Sequence, residues 1–140
     1  MNLTSFHKGQ CLCGDVQYSM QADLSLTGAC HCDMCQHQNS GSAFHGVMCD
    51  SIEWTGKSEP KWFKSSDHAS RGFCANCGTV MAWRFDSMMD QPVIATGTLN
   101  DKSGVKLRHH IFTDQASDYA PPPKNAPHKT KDETLAEWNA

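Results

Sequence analysis

Three cysteines fall within six residues at "CHCDMC", Cys30 to Cys35, and no other stretch narrows the fold and chemistry of this chain so far. In an extended strand residues i and i+2 face the same side, so Cys30 and Cys32 present two thiols together. In C-x-x-C the chain turns, and Cys35 brings a third thiol to the same place. The three form a claw that needs no distant residue to complete it. A structural zinc takes four ligands, whereas a catalytic zinc keeps one position open.

Four of the other cysteines come as two pairs, "CLC" at Cys11 and Cys13 and "CANC" at Cys74 and Cys77, with Cys49 apart. Neither pair can close a metal site alone. Together they make a four-thiolate set, with Gly78 free to take the tight or left-handed backbone that such a knuckle needs. A rival pairing joins Cys32 and Cys35 to Cys74 and Cys77 as a zinc ribbon. The 38 residues between Cys35 and Cys74 exceed the roughly 15–20 usual for that arrangement, and Cys11, Cys13 and Cys30 would be stranded. Four plus three is the better assignment. Iron could take the four-thiolate set in place of zinc, but no residue favours it.

Disulfides explain the eight cysteines less well. "MNLTSFHKGQCLCG" lacks the apolar run of a signal peptide, so the expectation is a cytoplasmic protein. Clustered thiols in a reducing compartment bind metal or do chemistry more often than they cross-link. With 12 Lys and Arg against 15 Asp and Glu the formal charge is −3. No basic block suggests nucleic acid, and no run approaches the roughly 20 apolar residues of a membrane span. Nothing speaks to oligomeric state.

Length predicts a single domain. Residues 1–120 carry the cysteine motifs, and 121–140 form an arm and short helix belonging to the same domain. The fold class is mainly β, with antiparallel sheets. "DVQYSM" places Val16, Tyr18 and Met20 on one face. "HGVMCDSIEW", "KWFKS", "TVMAWRF", "PVIATGTL" and "KLRHHIFT" are β-branched and aromatic runs bounded by turn residues. "YAPPPKNAPHK", 119–129, reads as an extended surface arm. Thr130 and Glu133 then stand in capping-box register for a short C-terminal helix.

Most remaining candidates have plain expectations. Cys49 belongs to the core, as do Trp54, Trp62 and Trp83. Met88 and Met89 fill gaps or a loop. Of His109 and His110, adjacent in a strand, one faces inward and one faces solvent. His7, His68 and His128 are surface residues. His31 points away from its flanking cysteines, as a neighbour of the ligands or a surface group. His37 and His45 flank the claw and are the histidines best placed to reach its open position.

A zinc on three thiolates carries a formal −1, against +2 on three histidines. Such a centre acidifies water weakly and suits a soft ligand, so a substrate thiol is the natural fourth partner. Metal binding deprotonates that thiol and holds an activated sulfur nucleophile. The zinc deaminase signature is absent, as is H-E-x-x-H.

"GQCLCGDVQY", "CHCDMCQ…SGSAF", "GFCANCGT" and "HHIFT", in this order, resemble the glutathione-dependent formaldehyde-activating enzyme domain, shared with centromere protein V. The resemblance runs from about Lys8 to Tyr119. It implies a β-tent of antiparallel sheets with zinc knuckles. It also implies a structural zinc on Cys11, Cys13, Cys74 and Cys77, and a second zinc on Cys30, Cys32 and Cys35 that is more readily lost. The activity implied is carbon–sulfur lyase or synthase chemistry on a small thiol adduct, with glutathione the leading thiol and formaldehyde the family's electrophile. Gln36 and Ser42 are the neighbours expected to steady the adduct oxygen. After "HHIFT" the chain departs from the family, with Tyr119 roughly where members often carry a Trp. The competing function is a non-catalytic, zinc-stabilised module that binds another protein.

Overall fold

The alternation at Val16, Tyr18 and Met20 organises the smaller of two sheets. A computed structural model describes residues 4–139; residues 1–3 and 140, the outer ends of the two expected segments, lie outside the described residues. β2 (Gln17–Ala22) buries Tyr18, Met20 and Ala22 completely. It pairs antiparallel with β1 (Ser5–Gln10) on one side and β5 (Ser51–Trp54) on the other.

The larger sheet has seven strands. Their order is β10 (Leu107–Ile111), β3 (Thr27–Cys30), β4 (Phe44–Met48), β9 (Val93–Ala95), β8 (Val80–Phe85), β7 (Ala69–Phe73) and β6 (Lys61–Lys64). All neighbours are antiparallel except β10 and β3, which run parallel with Leu107 opposite Thr27 and Ile111 opposite Cys30. A parallel pair needs a long connection, and here five strands of the same sheet and β5 of the other lie between its members. Tyr18, Met20, Val47, Met81, Ile94 and Leu99 make up the bulk of the main core.

The run "HGVMCDSIEW" is two strands, not one. β4 lies in the large sheet and β5 in the small one, so the bend after Met48 carries the chain between them. Cys49 sits at that bend, fully buried, and its thiol donates to the Pro92 carbonyl at 3.3 Å. Two strands have no pattern that announces them. β1 is an edge strand in which only Gly9 is buried; a Cβ there would meet the Tyr18 hydroxyl oxygen at 2.2 Å. β7, "ASRGF", is buried from Ala69 to Gly72 although it contains an arginine.

Helices are few. α1 (Asp33–Asn39) begins inside the "CDMC" segment, which therefore turns as the first turn of a helix. α2 (Lys131–Trp138) carries the expected capping box: the Thr130 hydroxyl accepts from Glu133 N–H, and the Glu133 carboxylate accepts from Thr130 N–H. The proline-rich arm before it is largely exposed. Its end is tied to β10, since His110 N–H donates to Pro127 and Lys129 N–H donates to His110, at 3.0 and 2.9 Å. No helix among the described residues is long and apolar enough to cross a membrane.

Candidate metal centres and the cavity beside one of them

Cys11 and Cys13 follow β1, while Cys74 and Cys77 occupy the turn between β7 and β8. Their four sulfurs lie within 4.8 Å of one another. Cys11 to Cys13 is 3.6 Å and Cys13 to Cys74 is 3.8 Å. A tetrahedron with metal–sulfur bonds of about 2.3 Å has edges of about 3.8 Å, so the donor set fits zinc in chemistry and in size. N–H groups point at three of the sulfurs: Val16 at Cys11 (3.3 Å), the Asn76 amide at Cys13 (3.3 Å) and Cys77 at Cys74 (3.4 Å). Contact with the Thr79 hydroxyl pulls the Cys77 thiol down to about 5. Gly78, at φ +79°, supplies the left-handed turn of the knuckle. Cys11 and Cys74 are buried in the main core.

The second group is Cys30, Cys32 and Cys35, also within 4.8 Å of one another. Cys30 ends β3. Cys32 is the N-cap of α1, and its sulfur accepts from Cys35 N–H at 3.4 Å, so the helix start itself sets the spacing. Hydrogen bonds from the Cys30 and Cys35 thiols pull the Cys32 thiol far down, and the same contacts push Cys30 up. All eight cysteines are free of disulfides, and the ribbon pairing is not formed. Two cysteine clusters that can hold metal ions, with donors consistent with zinc, are what the chain presents.

Arg71 belongs to the second cluster, and no motif pointed to it. β7 carries it to the claw, where it is 3% exposed. Both terminal guanidinium nitrogens lie 3.5 Å from Cys35 Sγ, and Nη1 also donates to Gln38 Oε1 at 3.2 Å. A buried cation against thiolates offsets their negative charge. The available signal was a charged residue three positions before Cys74.

The expected neighbours lie elsewhere. The Gln36 amide donates to the carbonyls of His31 and Gln115 at 2.8 and 2.9 Å, and its oxygen accepts from Ser117 at 2.7 Å, which uses it to brace loops. Neither Gln36 nor Ser42 lines the cavity beside the claw. His37 is held by the Asp33 carbonyl at 2.8 Å, and His45 lies on a different, smaller pocket, so neither joins the cluster. His31 is buried and not at the surface; its Nε2 meets His110 Nδ1 at 2.9 Å, and burial lowers both imidazoles. His109 is exposed where His110 is buried. Met88 and Met89 lie in the exposed turn after β8.

The three claw cysteines line a cavity of about 680 Å³, within the roughly 300–1,000 Å³ usual for small-molecule sites. Trp83, half-buried and expected as plain core, forms part of its wall, as does Trp138 of α2. Gly28 and Gly46, opposite each other across β3 and β4, also line it, with the His109 ring packed over Gly28 and the Phe44 and Val93 side chains over Gly46.

A mainly β frame of two sheets, with one closed and one open cluster of thiols, defines a metal-binding protein with a small-molecule cavity at the open cluster. The pattern of the glutathione-dependent formaldehyde-activating enzyme family matches residues 6–115, and the chain belongs to that family. The crystal structure of a Rhodobacter sphaeroides protein, a structural-genomics target, resembles it with a TM-score of 0.56 at 17% identity. That likeness covers 66% of this chain and 87% of the other, and it concerns the fold alone. No curated protein matches the chain.

Proposed function

We propose that the chain makes or breaks a carbon–sulfur bond in a small-thiol adduct, with the thiol sulfur taken at Cys30, Cys32 and Cys35. One observation carries the reading: four thiols close upon one another, while three face a cavity large enough for a substrate. Zinc at the open cluster would supply a soft Lewis-acidic seat for a thiolate, and a second zinc on the four-cysteine set would be structural. In the lyase direction the carbon–sulfur bond breaks, its electron pair stays on sulfur, and the hydroxyl proton of the adduct leaves as the carbonyl re-forms. The synthase direction is the reverse.

The chain's own residues have distinct tasks. Arg71 offsets the charge gathered on the sulfurs. Trp83 and Trp138 keep water from the bond. His109 lines the cavity, and desolvation followed by the charges of Lys129 and Arg108 holds its imidazole below the ordinary range. That favours the neutral imidazole, the form that accepts the hydroxyl proton. Residues 121–140 act with 1–120 as one unit, because Trp138 stacks on Trp83 with centroids 6.0 Å apart. The family description makes glutathione the first thiol to test, and formaldehyde the first electrophile.

Small thiols should bind the zinc-loaded protein much more tightly than their S-methyl counterparts, because a thioether is a poorer ligand with no proton to lose. Below the thiol's pKa, near 8.5 for a cysteine-like thiol, each bound thiol releases close to one proton, so affinity rises about tenfold per pH unit up to that pKa. Calorimetry in two buffers of different ionisation enthalpy counts those protons. If no thiol outbinds its methylated form, the enzymatic reading fails and a protein-interaction module takes its place.

A further inference from the structure

The wall of the cavity is far more apolar than a charged peptide thiol needs. Phe44, Trp83, Phe85, Phe112 and Trp138 all line it. The last four form one aromatic cluster: Phe85 meets Trp83 at 4.6 Å and Trp138 at 5.2 Å, and Phe112 meets Trp138 at 5.9 Å. Phe112 sits at φ +54°. A left-handed backbone is unfavourable for a bulky residue, and here it accompanies a ring held in the wall. Leu26, Met48 and Trp138 also line the cavity and stay 51, 44 and 41% exposed. Contiguous apolar surface of this kind is stabilised when a ligand covers it.

Charged partners for a ligand are scarce by comparison. Arg71 is engaged by Cys35 and Gln38. Lys129 is paired with Glu137. That leaves Lys131 and His109 against Asp33, a poor match for glutathione, whose two carboxylates and ammonium are costly to place against aromatic walls. Trp138 lies outside residues 6–115, the part matched by the family pattern, so its ring is added to a wall whose other aromatics, Phe44, Trp83, Phe85 and Phe112, belong to the matched segment. Tyr119, by contrast, is 74% exposed and does not line this cavity.

We infer that the thiol accepted at the three-cysteine site is apolar and bears an aromatic group, an arylalkyl thiol whose ring lies against Trp83, Phe112 and Trp138. The inference rests on the thiol-adduct reading above and names its substrate class. A benzene-sized ligand needs about 150 Å³, so the cavity accepts a ring and a short linker with room for the carbonyl partner.

The test is titration calorimetry of the zinc-loaded full chain with 2-phenylethanethiol, ethanethiol, glutathione and the S-methyl form of each. Ethanethiol has the same kind of sulfur without the ring. We expect 2-phenylethanethiol to bind at least ten-fold more tightly than both other thiols, and more tightly than its own methyl thioether. Trp138→Ala, checked for zinc content and circular dichroism, should reduce the ratio of phenylethanethiol to ethanethiol affinity. Glutathione binding as well as the aryl thiol, or no gain from the ring, overturns this inference and leaves the thiol reading standing. Failure of every thiol to outbind its thioether overturns both.

Discussion

Replacing Arg71 by methionine removes a buried charge while keeping most of the side-chain volume, and its consequence can be sized. The guanidinium lies 3.5 Å from Cys35 Sγ. A fourth sulfur on the same metal stands one tetrahedral edge, about 3.8 Å, from Cys35, so it lies roughly 6–7 Å from the cation. At an effective dielectric of about 20, unit charges at that distance interact by about 2–3 kcal/mol. A zinc with three thiolates carries −1, and a bound thiolate makes it −2, so the full interaction is gained on binding. At 1.4 kcal/mol per factor of ten, Arg71→Met should weaken ethanethiol binding by roughly 30- to 140-fold. Arg71→Lys keeps the charge without the fork that spans Cys35 and Gln38, and should lose less. Calorimetry on variants shown to carry the same zinc content as the parent measures this directly. If Arg71→Met binds the thiol within about threefold of the parent, the arginine is packing for β7 and not the counter-charge of the site.

The protein should carry two zinc ions, and mild chelation followed by elemental analysis should remove the one at the open cluster first; one tight zinc with Cys11 and Cys13 among the four free thiols would contradict the four-plus-three division. Cys11→Ala should give an unfolded or aggregating chain, because metal binding there is coupled to folding, whereas Cys32→Ala should keep its circular dichroism and melt cooperatively. Thr130→Ala breaks the capping box of α2 and should cost about 1 kcal/mol, read as a lower melting temperature together with greater solvent exposure of Trp138 in fluorescence quenching.

The metal clusters were legible because their spacing is local. C-x-C and C-x-x-C encode convergence within a few residues, and the capping box at Thr130 and Glu133 is legible for the same reason. The alternation of Val16, Tyr18 and Met20 likewise reports a buried face directly. β7 was not legible, since its residues are small or charged and its burial comes from neighbours: Gly72 leaves room for the Trp62 ring, with which an added Cβ would be in contact at 2.9 Å, and Arg71 is aimed at a cysteine 36 positions away. The cavity wall was not legible either. Phe44, Trp83, Phe112 and Trp138 come from β4, β8, the end of β10 and α2, and only the register of the large sheet brings them together.

The same contrast between local and distant ligands separates the work of the two clusters. Cys11 and Cys13 extend from β1, in the small sheet, whereas Cys74 and Cys77 extend from β7, in the large one. A metal held there ties the two sheets together beside the main core, and it closes a loop of about 60 residues, which links its binding to the folding of the whole chain. Cys30, Cys32 and Cys35 come from one strand end and one helix start, so a metal there closes almost no loop. Cys32 and Cys35 pack with Phe44 and Phe112 in a second, smaller apolar cluster. Changing the ligand at that metal therefore perturbs few contacts outside the cavity. On the thiol-adduct reading proposed above, the fourth position is taken and released at each turnover, and such a site belongs where the fold does not depend on it.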